Sequence, residues 1–232
     1  MRAARTVRGF TLLELMVATT ILLLLAGAAM PVVSSTLSVA RADATRAKVA
    51  DLRRAAESYA RDTLLLPSAI LDLRADPGVA GWRGPYTSPQ FDGSLDAPFG
   101  QDAYGNGILW TLSQGASIGT LRSPGEDRRR GTADDIVARV ALRPIRRDVT
   151  LARIARIDAA LAAYAAEKLP AEPLPTAWPA ALAKLRALGL LDSDPTHERD
   201  AWGTPFQAAG GSPLLRVRST SLAAQPTSEA PF

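Results

Sequence analysis

From Leu15 to Val33 the chain runs nineteen residues without a formal charge, and Leu, Ala, Val, Ile and Met dominate the stretch. A helix rising ~1.5 Å per residue needs about twenty such residues to cross a hydrocarbon core of ~30 Å, so this segment predicts a single membrane-spanning helix. Ahead of it stand Arg2, Arg5 and Arg8, which carry three of the four net positive charges of the 232-residue chain. The basic charge is therefore a leader and not a face for phosphates, and no nucleic-acid partner is expected. By the positive-inside rule these arginines stay cytoplasmic, and everything after Val33 lies outside the inner membrane, in the periplasm.

A basic leader and an apolar run also fit an ordinary signal peptide or anchor. Two features argue otherwise. Ser34-Ser35-Thr36 is an indifferent cleavage site after the apolar run, whereas Gly9 offers a small residue before it. Glu14 lies five residues into the segment that opens with Phe10, where a carboxylate facing lipid costs about 2–3 kcal/mol, so something has to meet it.

The stretch Arg8-Gly9-Phe10-Thr11-Leu12-Leu13-Glu14-Leu15-Met16-Val17-Ala18 resembles the type III signal of type IV pilins and of the pseudopilins of type II secretion. The resemblance implies cleavage between Gly9 and Phe10 by a prepilin peptidase, methylation of the new amino terminus at Phe10, and retention of the apolar helix. It also implies that Glu14 meets the Phe10 α-amino group of a neighbouring subunit, since a charge buried among apolar helices is tolerated only when paired. Pro31 falls where that family bends its first helix.

Apolar residues make up 47% of the chain and charged residues 22%, which predicts a folded globular part behind the membrane segment. With no cysteine, disulfides, thiolate metal sites and cysteine nucleophiles are ruled out, and the single His197 cannot assemble a histidine metal centre. No nucleophile and base stand together, and the chain is not expected to be an enzyme.

Val49, Leu52, Ala56 and Tyr59 recur at spacings of three and four, which carries the first helix on to about Asp62. A second stripe, Leu151, Ile154, Ile157, Leu161 and Tyr164, repeats the period. Each stripe is followed by Pro-[Ser/Thr]-Ala, at Pro67 and Pro175, and then by Asp-Ala-aromatic-Gly, at Asp102 to Gly105 and Asp200 to Gly203. Three islands in one order point to an internal repeat, against shared alanine-rich composition as the alternative. Asp102 and Asp200 are then equivalent turn residues in two lobes and not a catalytic pair. Strand-like runs follow at Ile108 to Leu112, Val137 to Leu142 and Leu214 to Arg218. Asp102 to Ile108 and Gly81-Trp82-Arg83-Gly84-Pro85-Tyr86 resemble, in the same order, two segments of the major pseudopilins of type II secretion.

Between those strands lies Ser123 to Ile136, with Asp127, Asp134 and Asp135 spaced around Gly125 and Gly131. Carboxylates on a glycine-bearing loop suit calcium, which takes six to eight oxygen ligands. The stretch resembles the calcium loop of the major pseudopilins, and the resemblance implies Asp127, Asp134, Asp135 and the Pro124 backbone carbonyl as ligands. It departs from them at Arg128-Arg129-Arg130, and the alternative is a metal-free loop in which these arginines pair with Glu126, Asp127, Asp134 and Asp135. The repeat has no such loop, so any calcium belongs to the first lobe alone.

The expected fold is α+β and type IV pilin-like: a long first helix, half membrane-spanning and half amphipathic, on a small antiparallel sheet, then a second head-like α+β lobe. The expected organisation is a cleaved leader over 1–9, an assembly helix over 10–33, head lobes over 34–142 and 143–222 joined by a linker at Arg143 to Asp148, and a flexible tail over 223–232. The resemblance implies as partners the membrane, the prepilin peptidase, other pilin or pseudopilin subunits, and an inner-membrane assembly platform with its ATPase. The expected role is a structural subunit of a type II secretion pseudopilus. The alternatives are a minor type IV pilus subunit or an uncleaved, membrane-anchored periplasmic binding module.

Overall fold

The computed structural model describes residues 12–87, 99–169, 171–209 and 215–224, with the side chains of 26–34 outside the description. The leader, Gly9 and Phe10 therefore lie outside the described residues, as does the side chain of Pro31 within the first helix.

Helix α1 spans Leu12–Thr63. Its C-terminal half buries Val49, Leu52, Ala55, Ala56, Tyr59 and Ala60, the stripe expected at spacings of three and four. The opposite face carries ion pairs one turn apart, Arg53 with Glu57 at 2.9 Å and Arg46 with Asp43 at 2.6 Å. The helix stops where Leu64 turns left-handed at φ 59° and Pro67 follows. The Arg146 guanidinium donates to the Leu64 carbonyl at 2.9 and 3.3 Å, satisfying an acceptor the helix end leaves open.

The described residues fall into two compact units that interleave along the sequence, one within 1–50, 92–108 and 122–137, the other within 51–91, 109–121 and 138–232. Strands β1 (Leu109–Ser113), β2 (Ile118–Ser123) and β3 (Ile136–Ala141) form a sheet in that order. The architecture is a long helix followed by a small antiparallel sheet, an α+β arrangement consistent with a pilin-like fold. Of these strands β2 escapes the sequence reading, because Gly119 interrupts it; the Trp110 ring fills the space a Cβ would take there.

In the second unit the Gly81 to Tyr86 segment packs on α1. Trp82 Nε1 donates to the Asp72 carbonyl at 3.1 Å, Tyr86 donates to Asp62 at 3.0 Å, and the Tyr86 ring meets Tyr59 edge-on at 5.6 Å. Helix α2 (Leu142–Lys168) starts directly after β3, so Arg143 to Asp148, expected as a linker, is helical. Leu142 and Ile145 are buried and hold that first turn down. Ile157, Leu161 and Tyr164 of α2 build a core with Trp178, Ala181, Leu182 and Leu185 of α3 (Trp178–Ala187), closed by Leu191, Phe206 and Val217. Each such large apolar side chain contributes about 1.5–3 kcal/mol on burial. Leu151, expected on this stripe, is 42% exposed; the buried position is Thr150.

The chain finishes with an antiparallel pair, β4 (Gln207–Ala209) against β5 (Arg216–Arg218), in the register Ala208 to Val217. A single turn of helix, α4 (Thr220–Ala223), follows, capped by the Ser219 hydroxyl accepting from Leu222 N at 3.1 Å. Ala223, assigned from sequence to the tail, is thus helical, and residues 225–232 of that tail lie outside the described residues.

Candidate functional site

The N-terminal half of α1 carries an uncovered apolar surface. Leu12, Leu13, Leu15, Met16, Val17, Ile21, Leu22, Leu23, Leu24 and Leu25 are 51–80% exposed. A helix apolar all round is stable only when lipid or other helices surround it. Thr19 and Thr20 turn their hydroxyls back to the carbonyls of Leu15 and Met16 at 2.7–3.0 Å, so the hydroxyls find acceptors within the helix and need no water. Glu14 sits exposed within this surface, on the same helix. Among the described residues no helix is long and apolar enough to cross a membrane. The expected span runs on into residues 26–33, whose side chains lie outside the description.

Two aspartate turns, one in each unit, are built alike. In the first, Asp102 Oδ1 accepts from the amides of Tyr104 at 2.9 Å and Asn106 at 2.8 Å, while Oδ2 accepts from the Ser123 hydroxyl at 2.6 Å. In the second, Asp200 Oδ1 accepts from Trp202 and Thr204, both at 2.9 Å, and Oδ2 from the Ser219 hydroxyl at 2.6 Å. A buried helix threonine accepts from the next amide in each: Ala103 N to Thr45 at 3.1 Å, Ala201 N to Thr150 at 3.0 Å. Gly105 and Gly203 close the two turns at φ 82° and 84°, a conformation glycine adopts without strain. Both carboxylates are at least nine-tenths buried and spent on their own turns, so the two are structural anchors. The two threonines and two serines were missed from sequence. The signal was there: Thr45 precedes Val49, Leu52, Ala56 and Tyr59 by the same intervals as Thr150 precedes Ile154, Ile157, Leu161 and Tyr164.

The acidic loop is held by its own donors. Asp134 accepts from Asp127 N at 3.0 Å and from the Thr132 hydroxyl at 2.7 Å, and Asp127 accepts from Arg129 N at 2.7 Å. The Asp127 amide and the Thr132 hydroxyl hold the Asp134 carboxyl below its ordinary pKa. Gly125, at φ 67°, lies so close to Asp134 that a Cβ would fall 2.5 Å from its Oδ2. Asp135 is different, since its side chain is only 5% exposed. Its Oδ2 takes Arg122 Nη1 at 2.5 Å and Gly131 N at 2.8 Å, while its Oδ1 is buried with no hydrogen-bond partner. Pro124 is buried beside Ser123 and Gly125, and Glu126 is held by the Ser38 hydroxyl at 2.6 Å. Among the described residues no three His, Asp or Glu side chains form a group that could hold a metal ion; of the expected calcium ligands, Asp127 and Asp134 are joined through the Asp127 amide, and Asp135 meets Arg122. The cation on Asp135 is Arg122, which lies outside the arginine run and was not singled out from sequence because it belongs to β2.

Residues 4–30 match the family model described as the prokaryotic N-terminal methylation motif. No curated protein and no solved structure matches the chain. The motif is a type IV pilin-type signal, and it implies a prepilin-peptidase substrate with a membrane-anchored N-terminus.

Proposed function

We propose that the chain is a pseudopilin or pilin-like structural subunit of a type II secretion pseudopilus. It is clipped between Gly9 and Phe10, methylated at Phe10, and held in the inner membrane by the first helix with both head lobes in the periplasm. The uncovered apolar surface from Leu12 to Leu25, with Glu14 set in it and the methylation motif across it, carries this reading. In lipid the helix waits singly; in a filament the same surface packs on neighbouring helices, and Glu14 takes the α-amino group of a neighbour's Phe10. The work is mechanical: subunits added at the base by an assembly platform and its ATPase lengthen a rod that pushes cargo.

The matched aspartate turns support a doubled head, two copies of one helix-turn-strand unit with different loops. A second head has to fit the subunit spacing of the filament, which favours a minor or specialised subunit, of a pseudopilus or a type IV pilus, over one that builds the shaft.

Glu14→Leu tests assembly apart from insertion. The variant is expected to fractionate with the membrane as the wild type does but to fail to cross-link into multimers and to lose secretion. Wild-type multimers and secretion in that variant would favour an uncleaved, membrane-anchored binding module instead.

A further inference from the structure

We infer that the acidic loop of the first head lobe is closed by Arg122 and keeps its shape without a divalent cation. This stands whether or not the chain assembles into a filament. The loop between Arg122 and Asp135 carries Glu126, Asp127, Asp134 and Asp135 against Arg122, Arg128, Arg129 and Arg130, so it is neutral before any metal arrives. A loop that binds calcium through several carboxylates keeps an excess of negative charge for the ion to neutralise. Here that excess is gone.

Several of the carboxylate oxygens are also engaged by the loop's own donors. Asp134 is taken by Asp127 N and Thr132, and Asp127 Oδ1 by Arg129 N. The loop's one deeply buried carboxylate, Asp135, needs a positive partner because an isolated buried charge costs several kcal/mol. Arg122 supplies it at 2.5 Å, reaching from the end of β2 to the start of β3, the place where a metal would tie the loop's two ends together. Gly131 N adds a bond to the same oxygen at 2.8 Å and pins the middle of the loop. The buried loop oxygen left without a hydrogen bond is Asp135 Oδ1, one acceptor where calcium takes six to eight oxygens. The guanidinium has thus taken the structural office of the ion.

Hydrogen exchange on the full-length protein in detergent, compared in millimolar calcium and in chelator, reads the loop directly. The Asp127 and Gly131 amides, which bond Asp134 and Asp135, are expected to show equal protection in both buffers. Arg122→Met is expected to lower the protection of Gly131 at least tenfold in both, and adding Asp135→Asn to restore most of it by removing the unpaired charge. Should Arg122→Met fail to fold, Arg122→Lys, which keeps the charge but loses the fork, is expected to give an intermediate loss. Greater protection of these two amides in calcium than in chelator would overturn the inference, as would unchanged Gly131 protection in the Arg122 variants.

Discussion

At the scale of single residues, most of the buried polar groups of the two units are arranged around two aspartates. Asp102→Ala would strand two amides and the Ser123 hydroxyl in a buried place. Unsatisfied buried groups cost about 1–3 kcal/mol each and relax in part, so a loss of ~2–4 kcal/mol is expected. Asp200→Ala is expected to cost about as much, since it removes the same three bonds from the second turn. Urea unfolding of the full chain in detergent measures both, and a large loss at one site with none at the other would break the equivalence of the turns. Asp134 adds a pH dependence. Its folded pKa is lowered, so its contribution is fully present above the ordinary carboxylate pKa of about 4 and is lost as pH falls through the lower folded value. Protection of the Asp127 amide is expected to decline on that acid side, and Asp134→Asn to abolish the pH dependence.

At the scale of elements, the sequence tells most where period and packing agree and least where a polar residue does apolar duty. Tyr59 and Tyr164 end their stripes where expected because both lie on the buried face with aliphatic neighbours one turn apart. An apolar stripe favours Leu151 over its polar neighbour Thr150; the Ala201 amide that Thr150 accepts from is fifty-one positions away and invisible to periodicity. The stretch Arg143 to Asp148 reads as a linker by charge, yet Leu142 and Ile145 anchor it as the first turns of α2. Arg146, within that stretch, crosses to the end of α1. Arg146→Met removes a charged donor from the Leu64 carbonyl and is expected to lower stability by ~1–2 kcal/mol. An unchanged urea midpoint would show that water caps Leu64 as well as the guanidinium does. Similarly, Arg122 had no legible role, because the carboxylate it meets lies across the loop, thirteen residues on.

At the scale of the whole molecule, the long helix and small antiparallel sheet that the sequence led us to expect are present, and the methylation motif names the pathway by which such a helix is processed. The acidic loop was less legible: composition marks its carboxylates, but only the positions of Arg122 and Gly131 show what meets Asp135. The central claim is that this chain enters the membrane as a precursor and leaves the membrane as a filament subunit. Its most direct test is the intact mass of the protein from native membranes, beside a Gly9→Ala variant. The wild type is expected to lack residues 1–9 and to carry one methyl group on Phe10, with the variant left uncut. A wild-type chain that keeps its leader in the presence of an active prepilin peptidase would contradict the assembly reading and leave the first helix as a plain anchor.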